Sequence, residues 1–178
     1  MKKLMTRLFA ITCTLLITLT TLLPVSAREN AFDLGRNLYS TNYIFLDADT
    51  GQVLDAKKQD EQISIASLTK MMTVLLAIEN SSSLNENITI TDEMIAGLYE
   101  EQASVAGYIS GDVATLLDLC YAAAVPSAAD AANALALQIG GSFEKFYQMM
   151  NDKAAELGMN HTVFKSAHGL DRDGQYST

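Results

Sequence analysis

The 178-residue sequence predicts an α+β fold, on three observations. Two short apolar runs, Ile44-Phe45-Leu46 and Gln52-Val53-Leu54, flank the turn-forming stretch Asp47-Ala48-Asp49-Thr50-Gly51, which is the pattern of a β-hairpin. Stretches of helix formers fill much of the chain between positions 68 and 157. Apolar residues make up 49% of the chain and charged residues 19%, a balance that builds a core rather than a disordered segment. The length suits one domain, and no internal repeat is visible.

The first element is an address. Lys2, Lys3 and Arg7 precede an uncharged run, residues 8–23, which ends in Pro24-Val25-Ser26-Ala27. Positive start, apolar centre and small-residue exit predict a secretory signal peptide over residues 1–27, leaving 28–178 as the mature body. The alternative is a transmembrane anchor, but the run is short for a span and is interrupted by threonines. Either reading puts the body outside the cytoplasm. Without its three N-terminal cations, a chain of net charge −9 falls to −12. A body this acidic is a poor ligand for phosphate backbones, so no nucleic-acid partner is expected. Of the two cysteines, Cys13 lies in the signal and Cys120 in the body, so neither an internal disulfide nor a cysteine-based zinc site is expected.

The hairpin comes next, followed by a polar stretch, 55–62. Residues 68–79 are apolar almost all round and predict a buried central helix. Residues 80–87 form a polar loop, and Ile88-Thr89-Ile90 a small strand. Thr91-Asp92-Glu93 starts a helix, with acids in its first turn. Ser110-Gly111-Asp112 turns into a helix over 113–125, which Pro126 breaks. An Ala-rich helix over 128–139 ends at Gly140-Gly141. Residues 143–157 are amphipathic, with Phe143, Phe146, Tyr147, Met150 and Ala154 on one face. The last twenty residues are loop-like. Met71, Met72, Met149 and Met150 are expected to fill core, and Cys120 to be a buried thiol. Glu79, Asp112 and Asp118 are read as surface or capping acids.

Ser67-Leu68-Thr69-Lys70 is an S-x-x-K at a helix start, where positions i and i+3 share a face. A serine becomes a nucleophile when a base takes its proton. Lysine can be that base if burial and the positive helix end lower its pKa. The same helix start offers a backbone N–H to a developing oxyanion. About one S-x-x-K is expected by chance in a chain this long, and Ser142-Phe143-Glu144-Lys145 is a second. Context separates them. Ser142 opens an amphipathic surface helix and reads as an N-cap, with Lys145 solvated. Ser67 opens the most apolar helix of the body, where a charged Lys70 is costly and needs a reason. The alternative is an ordinary cap with a snorkelling lysine. A Ser-His reading of His161 or His168 would need a carboxylate and a defined geometry, and His168, before Gly169 in a loop, reads instead as a loop-structuring residue. No third ligand stands near them at metal spacing, and no metal or other cofactor is expected.

The segments around Ser67-Leu68-Thr69-Lys70 resemble a family. They run from Asp47-Ala48-Asp49-Thr50-Gly51-Gln52-Val53-Leu54, through Ser104-Val105-Ala106-Gly107, Pro126-Ser127-Ala128-Ala129-Asp130-Ala131 and Glu156-Leu157-Gly158-Met159, to His168-Gly169-Leu170 and Gly174-Gln175-Tyr176-Ser177-Thr178. In that order they are similar to the D-alanyl-D-alanine carboxypeptidases, the low-molecular-mass penicillin-binding proteins. The resemblance implies a β-lactamase/transpeptidase-like fold, a helical cluster packed on an antiparallel sheet. It implies removal of the terminal D-Ala from peptidoglycan stem peptides through an acyl-enzyme, with β-lactams acylating the same serine. Carried over, Ser67 is the nucleophile, Lys70 its proton acceptor and Ser127 a proton relay. The family's second motif, S-x-N, is matched only at Ser127, because Ala129 stands where the asparagine belongs. Asn133, one turn on, is too far along the helix to replace it. Read without the resemblance, Ser127 would be a helix N-cap. The third motif, K-T-G, has no match, since Lys57, Lys58 and Lys165 are not followed by Thr-Gly. These departures predict the front part of a catalytic domain, incomplete at its C-terminal side and poorly stable alone, with an open hairpin edge and an uncovered face on the central helix. They also keep two rivals open: a serine β-lactamase, and a non-catalytic remnant that binds cell-wall peptide.

Overall fold

The computed structural model describes residues 38–170 and 174–178, so the expected signal peptide lies outside the described residues. The chain divides into two compact units, Met1–Gln59 and Asp60–Thr178. Among the described residues no helix is long and apolar enough to cross a membrane.

The first unit holds the expected hairpin, with β1 (Tyr43–Leu46) antiparallel to β2 (Val53–Lys57). Tyr43 faces Lys57 and Phe45 faces Asp55, and the register slips between Phe45 and Leu46. The turn is built by Asp47, whose Oδ1 accepts the Thr50 hydroxyl at 2.7 Å and the Thr50 and Asp49 N–H groups at 2.8 and 3.1 Å. Those bonds favour the carboxylate and hold its pKa below the ordinary value, the Thr50 hydroxyl contributing most. Gly51, at φ +69°, supplies the left-handed residue that closes the turn.

The second unit is a helical cluster with a small sheet. Its helices are α1 (Thr69–Asn80), α2 (Asp92–Ile95), α3 (Leu116–Ala124), α4 (Ala129–Gly140) and α5 (Phe143–Glu156). Helix α4 is the hub and packs against each of the others. Its residues Ala131, Ala132, Ala134, Leu135 and Ala136 are buried, and the small side chains let neighbouring backbones come close. At its end Gly140 lies directly under Phe146 of α5, where an added Cβ would stand 2.8 Å from the Phe146 Cβ. Gly141, at φ +73°, ends the helix as expected. Helix α5 buries Phe146, Met150 and Ala154, the expected face, and stacks Phe143 on Tyr147 at 6.1 Å. The Ser142 hydroxyl accepts the Lys145 N–H at 3.2 Å, so the second S-x-x-K is an N-cap.

Several expectations are corrected. Residues 113–125 are not one helix. Val113–Thr115 form β4, antiparallel to β3 (Asn87–Thr89), and the helix starts at Leu116. The β-branched Val113 and Thr115 favour the strand. Thr115 then caps α3, accepting the Asp118 N–H at 3.1 Å while Asp118 takes the Thr115 hydroxyl at 2.6 Å. Helix α1 is also not buried all round. It buries Thr69, Lys70, Met72, Thr73, Leu76 and Ala77, whereas Met71 is 72% exposed and Ile78 50%. Met71 therefore fills no core, unlike Met72 and Met150, and α1 carries the uncovered face the sequence suggests. The end of the chain is more ordered than a loop. Val163 bridges Tyr176, and Ser177 exchanges two backbone bonds with Ile63 at 2.9 and 3.1 Å. Cys120 is buried, where loss of hydration raises its thiol pKa.

Candidate active site

Ser67 lies in a 3-10 turn, Ala66–Leu68, that runs straight into α1. Ala66 enters that turn at φ +45°, a left-handed conformation that costs an L-residue about 1–2 kcal/mol. Ser67 is exposed and Lys70, one turn on, is 5% exposed. The Lys70 Nζ lies 3.1 Å from Ser67 Oγ, 3.2 Å from Ser127 Oγ and 2.7 Å from the His168 carbonyl oxygen. The Ser127 hydroxyl in turn donates to Ser67 Oγ at 2.8 Å. As an ammonium, Lys70 has three donors for three acceptors; as a neutral amine it turns a lone pair to one of them. Burial pushes its pKa below the ordinary lysine value, since the charged form loses hydration.

The three sequence-predicted residues, Ser67, Lys70 and Ser127, are thus brought into mutual hydrogen-bond contact. Ser127 is no N-cap. Its φ is +61°, the cap residue of α4 is Ala128, and the Ser127 hydroxyl is spent on Ser67. Ala129 is buried beside it, and Asn133 donates to the Met94 carbonyl at 3.1 Å rather than to Lys70. A cavity of about 530 Å³ opens over the triad, walled by Ile65, Leu68, Met71, Val74, Ala123 and Ala124. No cluster of metal-ligating side chains occurs among the described residues.

Sequence reasoning missed what holds the triad. The segment 166–170 closes under the Ser67 turn. Thr73 donates to the Ala167 carbonyl at 2.6 Å, and Lys70 to that of His168. The His168 ring structures its own loop, its Nδ1 accepting the Leu170 N–H at 3.2 Å. Gly169, at φ +82°, touches the Ala66 backbone so closely that a Cβ there would lie 1.9 Å from the Ala66 oxygen. The His168-Gly169-Leu170 string was the available signal, but a carbonyl ligand leaves no mark in side-chain chemistry.

A sequence profile of the D-alanyl-D-alanine carboxypeptidase family matches residues 25–178. The chain belongs to the D-alanyl-D-alanine carboxypeptidase family. Among the family's curated members, D-alanyl-D-alanine carboxypeptidase DacF of Bacillus subtilis (strain 168) is 36% identical over 140 residues, 76% of this chain and 35% of that protein. DacC of Escherichia coli (strain K12) is 34% identical over 144 residues, 76% of this chain and 36% of that one. This carboxypeptidase-family chain therefore spans about a third of the length of these curated relatives. Its fold matches the crystal structure of the Streptomyces K15 DD-transpeptidase with a TM-score of 0.72 at 33% identity, covering 77% of this chain and 55% of that one. Penicillin binding protein 6B from Escherichia coli matches with a TM-score of 0.72 at 31% identity, over 77% and 45% of the two chains. The α+β class expected from the sequence agrees with these neighbours.

Proposed function

We propose that the chain is a serine-type D-Ala-D-Ala carboxypeptidase that removes the terminal D-Ala from peptidoglycan stem peptides. The observation that carries this reading is the three-way contact of Ser67, Lys70 and Ser127 in a chain of this family. In it, Ser67 Oγ attacks the carbonyl carbon of the scissile D-Ala–D-Ala bond, and the neutral Lys70 amine takes the hydroxyl proton. Negative charge collects on the carbonyl oxygen, near the positive N-terminal end of α1. The C–N bond then breaks as Ser127 passes its proton to the leaving nitrogen and takes one from the Lys70 ammonium 3.2 Å away, which returns to the neutral amine as D-Ala departs. Water, deprotonated by Lys70, hydrolyses the Ser67 ester and restores the serine. The strained amide of a β-lactam opens by the same first step. The reaction as written needs no cofactor. Residues 28–178 are read as part of the catalytic domain, exported by a signal at 1–27 to the cell-wall side of the membrane.

A second reading, a chain that binds cell-wall peptide without turning it over, draws support from Ala129, where an asparagine amide would otherwise contact lysine and substrate. Losing one polar contact of that kind costs on the order of a hundredfold in rate. Intact mass after incubation with benzylpenicillin decides between the two, with Ser67→Ala beside it and circular dichroism to show folding. A penicilloyl adduct that Ser67→Ala loses is expected. A folded chain that gains no mass overturns acyl transfer and leaves the binder. Sustained penicillin turnover would instead mark a serine β-lactamase.

A further inference from the structure

We propose that Asp130 is a positioning residue that holds Ser127 against Ser67 through the loop 104–108. The functional meaning rests on the roles proposed above for those serines, whereas the geometric claim stands without them. Asp130 is 2% exposed, in the first turn of α4. Its Oδ1 accepts the Ala106 N–H at 3.0 Å, and its Oδ2 accepts the Gly107 and Tyr108 N–H groups at 3.0 and 3.1 Å. Three consecutive backbone donors on one buried carboxylate fix that loop tightly, because bonds to a charged acceptor are about twice as strong as neutral ones.

The loop then serves the helix. The Ser104 carbonyl accepts the Ala129 N–H at 2.7 Å, satisfying the first orphan donor of α4, the one a Ser127 side chain would reach if Ser127 rather than Ala128 were the cap. The Ala128 N–H is held by the Ala122 carbonyl at 3.0 Å. With both donors satisfied, Ser127 need not cap. Its left-handed backbone, φ +61°, turns the hydroxyl to Ser67 instead. A serine held in that conformation requires surroundings that over-determine it. The tie from Asp130 to Ser104 to Ala129 is one such constraint, and it begins three residues after the serine it serves.

Cross-linking reads the geometry without any enzymatic activity. The two hydroxyl oxygens are 2.8 Å apart, so cysteines at both positions need to move by less than about 1 Å to reach the disulfide length of about 2.05 Å. The full chain carrying Ser67→Cys and Ser127→Cys, with Cys13→Ser and Cys120→Ala to remove its two other thiols, would be oxidised with glutathione disulfide and the cross-link followed by mass. Rapid closure is expected, slowed about tenfold or more by adding Asp130→Asn. Should Asp130→Asn fail to fold, Gly107→Ala takes its place. Gly107 has φ +92° with open space at its Cβ, so alanine there strains the loop without disturbing the core, and a slowing of about threefold is expected. A parent pair that does not close, or a rate that neither folded variant changes, overturns the proposal. Benzylpenicillin acylation of the unmodified chain tests the carboxypeptidase reading separately. If acylation is absent and the cross-link still depends on the loop, that reading falls and the positioning role stands.

Discussion

Gly169→Ala tests the closest backbone contact at the site. An ideal Cβ at Gly169 lies 1.9 Å from the Ala66 oxygen, 2.5 Å from its carbon and 2.8 Å from Thr69 Oγ1. The first two are backbone atoms, so no side chain can swing away, and one segment must move by more than 1 Å. Two costs add. The left-handed φ of +82° costs alanine about 1–2 kcal/mol. Overpacking a fixed contact adds about 1–3 kcal/mol. Alanine recovers about 0.5 kcal/mol by restricting the unfolded chain. The expected loss is on the order of 3 kcal/mol. Gly158→Ala is the control, because Gly158 has φ +76° and nothing within 4 Å of its Cβ, so it carries the backbone cost alone. Urea unfolding of the two variants beside the wild type measures the difference, expected to be about 1–3 kcal/mol. A Gly169→Ala variant that loses no more than Gly158→Ala would refute the close contact. The same shift would stretch the 2.7 Å bond from Lys70 to His168, so acylation of Ser67 should slow in Gly169→Ala and not in Gly158→Ala.

Ser127→Gly should be more stable than Ser127→Ala by about 1 kcal/mol, because glycine takes φ +61° without strain, while both lose Ser67 acylation by about 10²-fold or more; equal stabilities would argue against a strained serine. Lys70 titrates below its ordinary value of 10.5 in the native state, so between that lowered pKa and 10.5 the unfolded chain binds more protons and stability rises with pH. Urea unfolding across that window should show the rise in wild type and its loss in Lys70→Met, and a slope unchanged by the substitution would contradict the buried amine. Phe146→Ala should cost about 3–5 kcal/mol, since Phe146 is fully buried against Gly140; thermal unfolding with a loss under 1 kcal/mol would mean that the α4–α5 packing is misassigned.

The sequence by itself determined the hairpin, the Ala-rich helix, the amphipathic helix and the Ser67–Lys70 pair. Each is written in local chemistry: turn formers at 47–51, small residues at 128–139, a 3.6-residue apolar stripe at 143–157, and an i, i+3 spacing at a helix start. It also left the second S-x-x-K as a cap, which Ser142 is. Tertiary structure decided the rest. Val113 and Thr115 became a strand because a partner at Asn87–Thr89 was there to pair with. Ser127, which local chemistry would make a cap, faces Ser67 across 60 residues of sequence, because loop 104–108 satisfies the helix donor in its stead. Lys70 is held by the carbonyl of His168, 98 residues away, and a backbone oxygen has no residue identity to read. Periodicity and spacing record what a residue does within its own element, whereas contacts between distant elements depend on where the chain brings its backbone.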